Sequence, residues 1–109
     1  MNDMAHTPEP VFELVPQSED VPTTLFGTVT VTELPSRRLT ALYQAHDPET
    51  DSDGFANHLL IESARGEHGE RFTVAFIESL PNRALPDLKL LMQAAVRVNG
   101  MERSEVEKA

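Results

Sequence analysis

The chain has 109 residues, with 18 Asp plus Glu against 9 Lys plus Arg, a formal charge of −9, no Cys and no Trp. One small domain with a core of Leu, Val, Ala and Phe fits this length. The missing Cys excludes disulfides and thiolate metal sites and suits a reducing cytoplasm. The acid surplus argues against binding nucleic-acid phosphates, and no apolar run nears the roughly 18 residues that a membrane span needs.

In chain order, MNDMAHTPEP (1–10) has no basic region ahead of an apolar stretch, so it does not read as a signal peptide and is expected to be disordered. VFELV (11–15) reads as a short edge strand, bracketed by Pro10 and Pro16. PQSEDVPTT (16–24) reads as a linker, so residues 1–23 are expected to form a flexible arm. LFGTVTVTEL (25–34) is the best strand: Val29 and Val31 face one way, Thr28, Thr30 and Thr32 the other, with Gly27 at a turn or bulge.

Pro35 stops that strand, and Ser36 is the expected N-cap of a helix at 37–46 with Leu39, Leu42 and Tyr43 on one face. DPETDSDG (47–54) is an acidic loop. A second helix at 55–65 turns Phe55, Leu59 and Leu60 inward and Glu62 and Arg65 outward. RFTVAFI reads either as a strand or as one or two helical turns capped by Thr73, with Phe76, Ile77 and Leu80 at helical spacing. The helical reading gives an element at 73–80. Asn82 is expected to cap a last helix at 83–98, with Pro86 in its first turn and Asn99-Gly100 as a left-handed stop. A charged tail follows at 101–109, where Ser104 is placed to cap a further turn. The predicted fold class is α+β, mostly helical: a short N-terminal strand or hairpin, then three to four helices, in a single domain at 24–100.

The last helix is over-apolar. Ten of the seventeen residues in LPDLKLLMQAAVRVNGM are Leu, Met, Ala or Val, whereas a surface helix needs about one apolar face. Leu85, Leu88, Leu91, Met92 and Ala95 form one stripe; Leu90, Ala94 and Val98 lie beside it. Leu85, Leu90, Ala94 and Val98 are therefore candidates for contact with a partner, unless the first two helices bury both faces.

No catalytic or metal-binding pattern is present. Asp47, Glu49, Asp51 and Asp53 begin like a calcium loop, but Ser52 and His58 stand where Gly and Glu are needed. His46, His58 and His68 lack the spacing of a helical zinc site. His58 is placed for a surface pairing with Asp53 or Glu62. Arg37 and Arg38 are either solvent charges or contacts for an acidic partner, such as loop 47–53 of a neighbouring copy. No cofactor and no catalytic residue are expected.

One ordering of motifs resembles a family. TVTVTELPSRRLTAL is followed by ANHLLIESA, a Gly turn and FTVAFIESLPNRALPDLKLLMQAAVRVNGM. This resembles the small tail assembly chaperones of long-tailed bacteriophages over about residues 27–105. The matching positions are Val29, Val31, Glu33 and Leu34; then Glu78, Leu80 and Pro81; then Leu88, Leu91, Ala95, Val96, Val98, Asn99 and Gly100.

The resemblance implies a non-catalytic protein of the host cytoplasm, absent from the mature virion. It would coat the tape measure protein, self-associate, and yield its client to tail tube subunits. It also implies a frameshift-extended form of the same chain, joined at ERSEVEKA. The competing reading is a small acidic phage protein that inhibits a host factor by nucleic-acid mimicry.

Overall fold

The computed structural model describes residues 9–101. Residues 1–8 of the expected arm 1–23, the capped turn after Ser104 and nearly all of the charged tail lie outside the described residues.

The fold is α+β: a three-stranded antiparallel sheet and four helices. Strand β1 (Ser18–Pro22) pairs with β2 (Thr28–Thr32), and β2 pairs with the two-residue β3 (Ala64–Arg65), so β2 is central. The helices are α1 (Ser36–Ala45), α2 (Ser52–Ser63), α3 (Val74–Glu78) and α4 (Leu85–Val98), with a 3-10 turn at Asn82–Ala84.

The alternation in TVTVT places Val29 and Val31 on the inner face, at 1% and 0% exposure. The register pairs Val21 with Val29 and Glu19 with Val31. The partner strand is therefore SEDVP, not VFELV. Ser18–Pro22 falls in the segment read as a linker, because only Val21 is apolar there. Its strand form comes from pairing with β2 and from the turn at 23–27. Pro22 ends the edge strand, where its missing N–H is tolerated. Pro10 and Pro16 withhold donors at both ends of VFELV, and those five residues stay exposed outside the sheet.

The turn is built by Thr23. Its hydroxyl accepts from Phe26 N–H at 2.9 Å and donates to the Gly27 carbonyl at 2.7 Å. Gly27 sits at φ 68°, a left-handed conformation that glycine adopts without a Cβ clash.

Helices α2 and α4 cover the inner face of the sheet. Phe55, Leu59, Leu60, Leu91, Ala94, Ala95 and Val98 join the three strand valines in one core. Tyr43 on α1 lies 4.9 Å from the Phe55 ring, which brings α1 onto α2.

Several caps differ from expectation. Ser36 is the first helical residue of α1 rather than its cap, and Pro35 holds the cap position without a side-chain bond. Asp51 caps α2 by accepting from Gly54 N–H, so the acidic loop is partly a helix start. Helix α2 ends at Ser63, and Arg65 lies in β3. Its guanidinium donates to the carbonyls of Ile61 and Ala64 at the helix end. Thr73 caps α3 by accepting from Phe76 N–H at 3.1 Å, which decides the RFTVAFI ambiguity for helix. Asn82 begins the 3-10 turn and caps nothing, while Pro86 does stand in the first turn of α4.

At the other end of α4 the stop is as expected. Gly100 takes φ 66°; its N–H bonds to the Arg97 carbonyl and Met101 N–H to the Val96 carbonyl. This pair of bonds is the Schellman pattern. No helix of the described residues is long and apolar enough to cross a membrane.

Candidate functional site

Helix α4 divides its apolar residues differently from the sequence stripe. Leu91, Ala94 and Ala95 are fully enclosed, Val98 is 3% exposed, and Asp87 shares their face at 3%. The buried stripe therefore runs Asp87, Leu91, Ala94, Ala95, Val98, rotated by roughly 80° from the expected Leu85 stripe, with which it shares Leu91 and Ala95. Ala94 and Val98 belong to the domain's own core and offer nothing to a partner while the fold is closed. Leu85 and Leu90 remain outward, at 56% and 46% exposure. Five residues at about 100° each set them roughly 140° apart around the helix axis. They flank the buried stripe on opposite sides and cannot form one contact face.

The Arg pair also splits. Arg38 donates through Nε and Nη2 to Glu62 Oε1 at 3.1 and 2.8 Å, tying α1 to α2. Arg37 stays exposed. Of the two, only Arg37 has no side-chain partner among the described residues.

A second apolar surface was not legible as a unit. Phe26 from the hairpin turn, Phe72 and Phe76 form a three-ring cluster. Phe26 meets Phe72 edge-on at 5.2 Å between centroids, and Phe76 lies 6.1 and 6.0 Å from the other two. Edge-on pairs set the positive ring edge against the negative face. A groove of about 410 Å³ opens over this cluster, with Val29 at its base and Leu25, Glu70 and Arg71 among its walls. Phe72 is buried, whereas Phe76 and Leu25 are 44% and 41% exposed. The sequence signal was present in F-x-x-x-F at 72–76 and in L-F at 25–26. Only the fold joins segments that far apart.

Asp87 positions one wall. Its two carboxylate oxygens accept from Thr24 N–H at 3.0 Å and Leu25 N–H at 2.8 Å. The hairpin tip is thereby locked to the first turn of α4. Leu25 consequently stands beside the turn that carries Leu85, and exposed apolar side chains gather at this end of the molecule.

The carboxylates serve mostly local structure. Among the described residues, Glu19 pairs with Arg97 at 2.8 Å. Glu67 accepts from Thr28 N–H, Glu70 from His68 N–H, Glu33 from Gln17 N–H and Asp47 from Glu49 N–H. Asp20 accepts from the Thr30 hydroxyl across the hairpin. Arg97, through its hydrogen bond, holds Glu19 below the usual carboxylate range, and Glu19 raises Arg97 in return. His46 Nδ1 lies 2.9 Å from Asp51 Oδ2 and is the main cause of a lowered Asp51. His58 stacks on His46 at 4.3 Å rather than pairing with Asp53 or Glu62. Among the described residues no group of three or more His, Asp or Glu converges as a metal-ligand set.

This arrangement can hold an apolar segment by desolvation and ring contacts, with Arg71 available to a carboxylate at the rim. Comparison with family models, with curated proteins and with solved structures finds no match to this chain.

Proposed function

We propose that this protein is a non-catalytic binding protein that takes an apolar segment of another chain into the Phe26–Phe72–Phe76 groove. The observation that carries this reading is the groove itself: an open aromatic surface kept in water by a chain of formal charge −9. Open apolar patches on small soluble domains mark interaction sites, and the acid surplus opposes aggregation.

The motif resemblance gives the client a class. The protein acts as a tail assembly chaperone that coats the tape measure protein of a long-tailed phage in the host cytoplasm and holds that long apolar helix in solution. Tail tube subunits then displace it, so it leaves no copy in the virion. Leu25, Phe76 and Leu85 make the first contacts, and Leu90 serves a separate one on the far flank of α4.

Co-expression with the tape measure protein encoded nearby tests this. The expected result is a soluble complex that co-purifies and is lost in a Phe76→Asp variant of unchanged helix content. Equal solubility of the client with and without this protein, and no complex, refutes the reading.

A further inference from the structure

Among the described residues, the apolar side chains most open to water are not on α4 but in VFELV. Val11, Phe12, Leu14 and Val15 are 74%, 103%, 94% and 89% exposed. Four large apolar residues within five positions, none covered, form a segment whose burial is strongly favoured. Pro10 and Pro16 fix its shape. Each proline lacks an N–H, and each holds the residue before it, Glu9 or Val15, in extended conformation. Five residues between them offer a strand, not a helix. An extended chain puts Phe12 and Leu14 on one side and Val11, Glu13 and Val15 on the other.

The groove matches this segment in apolarity and offers one cation, Arg71, at its wall. Its base and walls are Val29, Phe26, Phe72 and Phe76. Its charged lining is one cation and one anion, Arg71 and Glu70. Arg65 is pushed down, first by burial and then by the positive charge of nearby Arg71. The Arg65 guanidinium is committed to backbone carbonyls, whereas Arg71 is exposed. Glu70, also on the rim, is turned to His68 N–H at 2.7 Å. A carboxylate at the centre of an apolar strand, which is what Glu13 provides, complements Arg71.

Chain reach and direction favour the groove of another molecule. Gln17 is bound to Glu33 at the open end of the hairpin, its N–H at 3.0 Å from the carboxylate and its carbonyl at 2.8 Å from Glu33 N–H. The groove lies at the other end, by the turn at 23–27. Phe12 is five residues from Gln17, a span of at most about 17 Å when fully extended. The strand alone takes about 13 Å from Gln17 to Val21, and Leu25 and Phe26 lie beyond. The segment would also have to reverse direction at Pro16. Filling its own groove would take a nearly fully stretched chain and a reversal at Pro16, whereas a groove on another molecule needs neither.

We propose that VFELV of one copy lies in the aromatic groove of a second copy, and the reverse, giving a two-fold dimer by arm exchange. Phe12 and Leu14 enter against Phe26, Phe72 and Phe76, while Glu13, on the outer side of the strand, is met by the long side chain of Arg71 reaching up from the rim. Reciprocal exchange closes the assembly at two chains. The inference shares the groove with the proposed function, so a client segment competes with the arm and releases it; the test therefore uses no client.

Sedimentation of the purified full chain across a wide concentration range should show a dimer. Phe12→Asp and Leu14→Asp should each weaken it by roughly tenfold or more, as loss of a central apolar anchor does. Both residues are fully exposed in the single chain, so helix content should not change. Glu13→Arg and Arg71→Glu should each weaken the dimer, and the two together should restore it.

Because the chain has no Cys, a disulfide between a Glu13→Cys chain and a differently tagged Arg71→Cys chain reports the exchange directly. A chain that stays monomeric at every concentration overturns the proposal. So does an unchanged dimer in Phe12→Asp, or a disulfide that forms only within one doubly substituted chain. A monomer that still solubilises its client overturns arm exchange and leaves the proposed function standing.

Discussion

Asp87, in the first turn of α4, holds the backbone of Leu25 from 62 residues away, its carboxylate accepting Leu25 N–H at 2.8 Å. A second bond, from Thr24 N–H, makes the clasp bidentate. Charge-assisted bonds to backbone N–H groups are the stronger class of hydrogen bond. Removing this acceptor leaves two donors unpaired at the hairpin tip. Asp87→Ala should therefore lower stability by about 2–4 kcal/mol, a large part of a small domain's total. Asp87→Asn, which keeps one acceptor oxygen, should lose less. Urea unfolding followed by circular dichroism measures both, and equal stability of Asp87→Ala and wild type would show that the clasp is idle.

Ser63 points the other way. Its hydroxyl is 2% exposed and has no hydrogen-bond partner among the described residues. Burying an unsatisfied hydroxyl costs free energy that a methyl group does not. Ser63→Ala should raise stability by about 1 kcal/mol, read as a higher urea midpoint with an unchanged slope.

Neighbouring residues on α4 should respond oppositely to the same change. Leu91 is fully enclosed and Leu90 is 46% exposed. Leu91→Asp buries an unpaired charge at a cost of several kcal/mol and should unfold the domain. Leu90→Asp should keep the helix content and a cooperative transition. Loss of folding in Leu90→Asp would mean that the outward flank of α4 is covered.

Gly100→Ala isolates backbone strain. A Cβ at this position meets nothing within 4 Å, so only the φ of 66° matters. The left-handed conformation costs a non-glycine residue roughly 1–2 kcal/mol, and thermal or urea unfolding should register a loss of that order.

The acid limb of stability follows from Glu19. The hydrogen bond from Arg97 holds its folded pKa below the ordinary glutamate value of 4.5. A depressed carboxylate stabilises fully above its unfolded pKa and loses that contribution as pH falls through the folded value. The urea midpoint should therefore drop as pH falls below about 4.5, with Asp51 and Glu70 shifted in the same direction. The Glu19–Arg97 pair is exposed, so its share is small and salt-sensitive. Arg97→Met should flatten the part due to Glu19, and an identical acid limb in that variant would assign it elsewhere.

Local chemistry was enough for much of the chain. Period-2 alternation alone turned Val29 and Val31 inward, and helical spacing did the same for Phe55, Leu59 and Leu60. Thr73 announced its cap and Asn99-Gly100 its stop, because both motifs close within a few residues. Composition also set the acid surplus, whose carboxylates the fold then spends on ion pairs and on backbone donors.

Tertiary structure decided what depends on residues far apart. SEDVP has no strand pattern of its own and becomes a strand only beside TVTVT. Asp87, an acid in the first turn of α4, is buried because the hairpin tip arrives to meet it. With Asp87 on the inner face, the core stripe of α4 is rotated and Ala94 and Val98 turn inward. The aromatic groove joins residues 25–29 to 66–76, and no spacing rule links them. Sequence determines what each segment can form; which face of α4 is spent on the core is fixed only when the sheet packs against it.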